Sequence, residues 1–344
     1  MRTRIGARAG AIVAALALGV GGFFALGNVA AASPTGFTVL HSALAATCQL
    51  AHVDLGTGAL TPFGPNDAGH CTFDLAVAPG GTALYGVTFS GSFGGGAPPN
   101  AGTATAQLIR YDPTSGAATT VGTIGAFTIN GPGTSQGNLT FDNAGNLFVQ
   151  LVPNVATGTT PCDWQSICLY RVDPTNPSSA TALGHAPFLF TTYFGLAASC
   201  GGSVLSMRTS NDPSSFSAGT TSTTTSESTS ATAPSHGQSW STSHAQSTSP
   251  VTLTSVNTAT GTTTDIGTGL GVGNVVQSLD FDASGAVFGI GAVASSSQVF
   301  TIDSSTGVAT AGAATTPAGT LSGLAIGPPC PPTPAIIVTP RFTG

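Results

Sequence analysis

QLIRYDPTSGAATTVG, residues 107–122, is the stretch on which the fold turns, because the chain repeats its pattern four more times. The other copies are QLAHVDLGTGALTPFG from Gln49, LYRVDPTNPSSATALG from Leu169, TLTSVNTATGTTTDIG from Thr252 and QVFTIDSSTGVATAGA from Gln298. Each has a β-rich run of four to six residues, then Asp or Asn, then turn formers, then a short Thr/Ala/Val run that closes on glycine or alanine. In Asp112-Pro113-Thr114-Ser115-Gly116 the Asp accepts backbone hydrogen bonds, Pro presets φ and Gly supplies positive φ. That is the chemistry of a tight turn between two strands.

A second module alternates with the first: FDLAVAPGGTALYGV from Phe73, GNLTFDNAGNLFVQL from Gly137, FGLAASCGGSVLSM from Phe194 and QSLDFDASGAVFGIG from Gln277. A truncated copy, LSGLAIGPP, starts at Leu321. Each full copy reads as strand, Asp/Pro/Gly turn, strand. Two hairpins per unit make four strands. Spacings between Asp54, Asp112, Asp173, Asn257 and Asp303 are 58, 61, 84 and 46 residues. A period near 50 with four strands per unit points to an all-β propeller, since a small sheet buries its faces only against its neighbours.

The order gLAfDpdG–LYgv–LyryDpxtG–tvG resembles the YVTN/NHL-like β-propeller repeats of secreted bacterial proteins, over residues 36–328 apart from insertions. The resemblance implies blades of strands a to d counted outward from the axis. Blade 1 is then 72–125, blade 2 137–184, blade 3 193–267 and blade 4 277–314. One strand a remains near the C-terminus (LSGLAIG), and strands b, c and d remain near the N-terminus (FTVLHSA, QLAHVDLGTG, ALTPFG). Together they complete a fifth blade and close the ring, which hides sheet edges. Six or seven blades, with degenerate members in the loops, is the alternative.

Flanking segments set the expected compartment. MRTRIGAR, an apolar run from Ala9 to Val29 and the small residues Ala30-Ala31-Ala32 make residues 1–32 a signal peptide cleaved before Ser33. The expected protein is therefore secreted or attached to the cell surface, with no membrane association after cleavage. The propeller spans 33–328 and a Pro-rich tail spans 329–344. Residues 209–249, more than half Ser or Thr, form a disordered insert between strands b and c of blade 3. The other long b–c loops are 88–106 and 153–167. Alternating strand direction gathers them all on one face.

After residue 32 the chain has four arginines, no lysine and 13 acids, Glu227 alone being Glu, for a formal charge of about −9. No basic stripe exists for phosphates, which excludes nucleic acid as an expected partner. A monomer is expected. All six cysteines follow the cleavage site, in an oxidising compartment. Strand directions in the implied blades pair Cys162 with Cys168, Cys48 with Cys71, and Cys200 with Cys330.

Few stretches of the chain carry chemistry. Gly133-Thr134-Ser135-Gln136-Gly137 matches G-x-S-x-G but precedes a strand rather than a helix. Asp67, His70 and Cys71 in NDAGHC lack a second cluster at metal-ligand spacing, so the stretch reads as a loop with one disulfide cysteine. The repeated aspartates read as turn caps, and the Gly-rich 267–273 as a crossover. No catalytic residue, cofactor or metal site is assigned. Trp164 and Trp240 both lie in b–c insertions and offer flat amphipathic surfaces for a sugar or a protein. The expected function is non-catalytic binding of a glycan, peptide or envelope component through the insertion-rich face. An extracellular hydrolase or lactonase-like propeller and a purely structural module are the other two readings. Asp or His side chains meeting in the central channel would favour an enzyme.

Overall fold

The computed structural model describes residues 34–42, 47–91, 103–125, 129–130, 137–151, 166–187, 191–210, 251–272, 275–293 and 296–327. The expected signal peptide, the Pro-rich tail, Trp164, Trp240, Cys162, Cys330 and most of the Ser/Thr insert lie outside them. The ring belongs wholly to the unit Pro34–Gly344.

Among the described residues, twenty of the twenty-one strands build five four-stranded antiparallel blades. The chain opens with β1 (Thr35–Ser42), β2 (Thr47–Asp54) and β3 (Leu60–Pro62). Blade 1 is β4 (Leu75–Val77), β5 (Leu84–Gly91), β6 (Thr103–Tyr111) and β7 (Ala118–Thr123), with a two-residue strand β8 (Ile129–Asn130) added beside β6. Blade 2 is β9 (Asn138–Phe141), β10 (Leu147–Leu151), β11 (Ser166–Asp173) and β12 (Asn176–Pro187). Blade 3 is β13 (Thr191–Ala198), β14 (Val204–Ser210), β15 (Val251–Val256) and β16 (Thr263–Ile266). Blade 4 is β17 (Val275–Phe281), β18 (Val287–Val293), β19 (Ser296–Ile302) and β20 (Ala309–Ala314). The last strand, β21 (Thr320–Ile326), pairs with β1, Gly36 opposite Ile326 and His41 opposite Thr320. Strand order β21-β1-β2-β3 therefore makes the fifth blade from both ends of the chain. Inner strands touch in the cycle β21, β4, β9, β13, β17 and back to β21. The five-bladed reading holds, and the six- or seven-bladed alternative is excluded.

Three details depart from the sequence reading, the first being that β5 and β6 take residues 88–91 and 103–106 of the loop expected over 88–106. Thr209 is buried in β14 and pairs with Val251, so the insert expected from residue 209 starts later. Alternation continues two residues further than the Ser/Thr composition suggested, because strand b needs that length to match strand c. The extra strand β8 carries no repeat signature.

Apolar cores lie between blades, each straddling one interface. Val87 and Leu108 of blade 1 meet Leu139 and Val149 of blade 2. Leu253 of blade 3 meets Leu279 and Phe300 of blade 4. Val53 and Leu324 of blade 5 meet Ile290 and Val299 of blade 4. Every blade thus buries both faces, which no blade could do alone.

The repeated glycines make the outer joints of the ring. Gly116, in the turn of the opening stretch, lies against Gly64, the glycine that closes the preceding copy. Gly184, which closes the third copy, lies against Thr260 and Gly261 of the next turn. A β-bulge at Leu183 bends the outer strand out of its ladder just before that glycine. Gly267 and Gly307 repeat the pairing one interface further on. In these copies, the closing glycine of one blade and the turn glycine of the next are two halves of one close backbone contact.

The closure yields a test. Removing residues 34–62 takes three strands from blade 5 and strands β21 at an open edge. Cooperative unfolding should be lost, and thermal melts followed by circular dichroism check it. A truncated chain that melts as sharply as the parent would refute closure.

Candidate functional site

A propeller's innermost strands present one unpaired edge to the axis, and their N–H groups need partners there. The residue before the recurrent inner Leu is Asp74, Asn138, Gly195, Ser278 or Gly323, in chain order, and the three with polar side chains supply such partners. Asp74 Oδ2 accepts from the Leu139 N–H of the next blade at 3.2 Å. Asn138 Oδ1 accepts from Gly195 N–H at 3.0 Å, and Ser278 Oγ from Leu324 N–H at 2.8 Å. Gly323 has φ +64°, and a Cβ there would stand 2.8 Å from the Leu75 nitrogen, so bare backbone replaces the side chain. A second layer repeats the device two residues on. Thr140 Oγ1 accepts from Ala198 N–H at 3.0 Å and Asp280 Oδ2 from Ile326 N–H at 2.7 Å.

Two carboxyl groups therefore sit at the axis, and the sequence reading had not singled them out. Asp74 is buried, and burial pushes its carboxyl up to about 8 against the opposing pull of the Ser278 hydroxyl, 2.5 Å from Oδ1, and of backbone N–H groups. The neighbouring Asp280 charge adds a smaller push in the same direction. Asp280 retains some exposure toward the axis, yet burial raises it to about 7 despite the N–H groups of Ile326 and Phe281. The signal available in the sequence was an acid inside an apolar strand, in FDLAV and SLDFD. Both acids were hidden by the turn aspartates around them.

Beside Asp280 lies a cavity of about 20 Å³, bounded by Thr140, Ala198 and Ile326 among others. That is room for about one water molecule. The axial carboxyls hold the N–H groups of neighbouring inner strands. His41, in β1, is a further buried polar group. Ser322 Oγ donates to Thr72 O at 2.5 Å, so His41 Nε2, 2.6 Å from Ser322 Oγ, carries the hydrogen that bonds it. Burial lowers His41 to about 4, which keeps it neutral.

The turn aspartates act as caps. Asp54 Oδ1 accepts from Gly56 and Thr57 N–H groups at 2.9 and 2.8 Å. Asp112 Oδ1 accepts from Thr114 and Ser115 at 2.8 and 3.0 Å, and Asp303 Oδ1 from Ser305 and Thr306 at 2.8 and 3.2 Å. Asn257 does the same for Ala259 at 2.9 Å. The backbone N–H of Thr57 leads in holding Asp54 below its usual range, and that of Ser115 does so for Asp112.

NDAGHC is a stapled loop. Cys48 and Cys71 form the expected disulfide, with Cα atoms 5.5 Å apart. Cys48 and Asp67 also exchange two backbone hydrogen bonds of 2.8 Å. Asp67 Oδ2 lies 2.6 Å from His70 Nδ1, and His70 Nε2 lies 3.1 Å from Thr120 Oγ1 on the outer strand β7. The Tyr111 hydroxyl donates to His70 O. With Cys71 spent in the disulfide, two of the three groups first weighed as ligands remain. Among the described residues no three His, Cys, Asp or Glu side chains gather as a metal site. Cys168 and Cys200 are disulfide-bonded as well, and their expected partners lie outside the described residues. Of the G-x-S-x-G stretch only Gly137 is described, just before strand β9.

The two faces of the ring differ. On one face, tight turns, most of them capped by Asp, join strands a to b and c to d. The other face receives the b–c connections: residues 92–102 in blade 1, 152–165 in blade 2 and 211–250 in blade 3, against 43–46 in blade 5 and 294–295 in blade 4. The long connections thus belong to three consecutive blades, and two of them contain Trp164 and Trp240.

No protein-family model matches the chain, and no curated protein matches it by sequence. Among solved structures it is similar to TolB from Acinetobacter baumannii, with a TM-score of 0.39 and 11% identity over 86% of this chain and 66% of that one. It is similar to a chain of a nidogen/laminin complex, with a TM-score of 0.41 and 10% identity over 85% of this chain and 98% of the other. A puromycin hydrolase aligns with a TM-score of 0.36 and 12% identity over 82% of this chain and 36% of its own.

Proposed function

We propose that the protein is a secreted or surface-attached, non-catalytic β-propeller of the YVTN/NHL-like kind, which binds a glycan, peptide or envelope component with the loops of blades 1 to 3. The observation that carries this reading is the confinement of the long b–c connections to three neighbouring blades on one face. Long insertions gathered on one side of a repeat array are how such scaffolds present a binding surface. The placement of the chain's two tryptophans in those connections agrees with it. The Cys48–Cys71 bridge supports an oxidising compartment, in keeping with an exported chain. The axial acids and the turn acids are engaged in holding backbone, so they supply the scaffold rather than the contact.

A glycan and peptide array probed with the protein lacking residues 1–32 tests the reading. A specific signal is expected, and Trp164→Ala with Trp240→Ala should weaken it by about tenfold or more, the scale of lost aromatic anchors. An array signal unaffected by both substitutions would move the binding surface elsewhere.

A further inference from the structure

A groove of about 480 Å³ crosses the turn face between blades 3 and 4, opposite the long loops. Its floor is Leu205, Ile266 and Phe281, and serines such as Ser284 and Ser304 form its rim. A groove of this size, with an apolar floor and an uncharged polar rim, suits a short uncharged peptide segment. We propose that its occupant is the chain's own C-terminal segment, residues 331–344, tethered there by a Cys200–Cys330 disulfide.

Three observations point to that occupant. The ring's last strand ends at Ile326, which lines the small axial cavity together with Cys200 and Phe281, and both of those also line the groove. The chain therefore leaves the ring at the groove's inner end. Cys200 is disulfide-bonded. Cys330 stands three residues beyond Gly327, a reach of about 10 Å. Cys162 falls in the sequence between β10 and β11, six positions before the equally bonded Cys168.

The third observation is composition. Residues 331–344, PPTPAIIVTPRFTG, carry an apolar triplet, Ile336-Ile337-Val338, in a Pro-rich frame. Extended at about 3.1 Å per residue, the segment spans about 40 Å, ample to lay the triplet on the floor. Pro-rich chain loses little conformational freedom on docking. Its single charged side chain, Arg341, falls three residues after the triplet. Docked, the segment clasps blades 3 and 4 together on the face opposite the ligand-binding loops.

Non-reducing peptide mapping and hydrogen exchange on the full exported chain test the clasp. The expected map contains a Cys200–Cys330 linked peptide. Ile336→Ser, Ile337→Ser and Val338→Ser together should speed amide exchange in residues 199–205 and 281–286 by about tenfold or more, with other blades unchanged. The substitutions lie outside every described strand of the ring, so an unchanged melting curve confirms that the variant is folded. A Cys200–Cys162 link, or identical exchange in parent and variant, would overturn the proposal. Protection that rises with protein concentration would assign the groove to a second copy of the chain and overturn it equally.

Discussion

Gly184→Ala is expected to lower stability by about 3 kcal/mol or more, at the upper end of what overpacking costs. A Cβ at this position would stand 1.7 Å from the Thr260 carbonyl oxygen and 2.3 Å from its carbon. Those are backbone atoms of the neighbouring blade, held by the Asn257 turn, and no rotamer change moves them aside. The blades must separate at the rim, opening the apolar interface beneath. For a domain of this size, 3 kcal/mol corresponds to a drop of about 6 °C or more in melting temperature. Two controls isolate the cause. Gly80 has φ +83° but open space around it, so Gly80→Ala carries only the left-handed backbone cost of about 1–2 kcal/mol. Gly201 meets nothing closer than 3.7 Å and should tolerate Ala. Thermal or denaturant melts of the three variants decide the matter. A Gly184→Ala ring within about 1 kcal/mol of the parent would mean that the outer joint yields freely.

The second large effect is on pH. Asp74 and Asp280 are raised from 3.8 to about 8 and about 7 in the folded ring. Between pH 4 and those values the folded chain holds two protons that the unfolded chain releases, so stability falls as pH rises, by about 1.4 kcal/mol per unit for each group. His41 works in the opposite sense. Its folded value of about 4 lies below the ordinary 6.5, so its contribution grows with pH between them and offsets one of the two acids. The steepest loss is therefore expected above pH 6.5, where His41 no longer compensates, and it continues to about pH 8. The melting temperature should be higher at pH 5 than at pH 9. Asp74→Asn should flatten the alkaline part of the curve: an amide can accept from Leu139 N–H and donate to Ser278 Oγ, yet never ionises. A parent whose melting temperature rises from pH 5 to pH 9 would contradict the axial assignment.

Much of this architecture was legible in residues 107–122 and their relatives, because turn chemistry is local. Asp112 caps the residues that follow it, so the hairpin can be recognised from five letters. Ring closure was legible for a different reason: the unpaired LSGLAIG and the N-terminal strands complement each other as pieces of one unit. The joints were not. Gly184 and Gly261 both appear in the repeat, but each reads as a turn or a strand end until the ring brings them together across 77 positions. Asp74 and Asp280 were hidden for a related reason. Their partners, the Leu139 and Ile326 N–H groups, belong to the next blade, and no local pattern marks an amide as facing the axis. Composition also ended β14 two residues early, since Thr and Ser suit a strand edge as well as a linker.

In the proposed division of labour the ring is scaffold and the loops of blades 1 to 3 carry recognition. A ring in which residues 92–102, 152–165 and 211–250 are each replaced by a tight two-residue turn tests it directly. Apart from losing the bond expected between Cys162 and Cys168, the stripped ring should melt close to the parent, since loop-closure entropy changes by only about 0.6 kcal/mol per doubling of length. On the same glycan and peptide array it should lose the parent's signal altogether. A stripped ring that folds and still binds the parent's ligands would contradict the account.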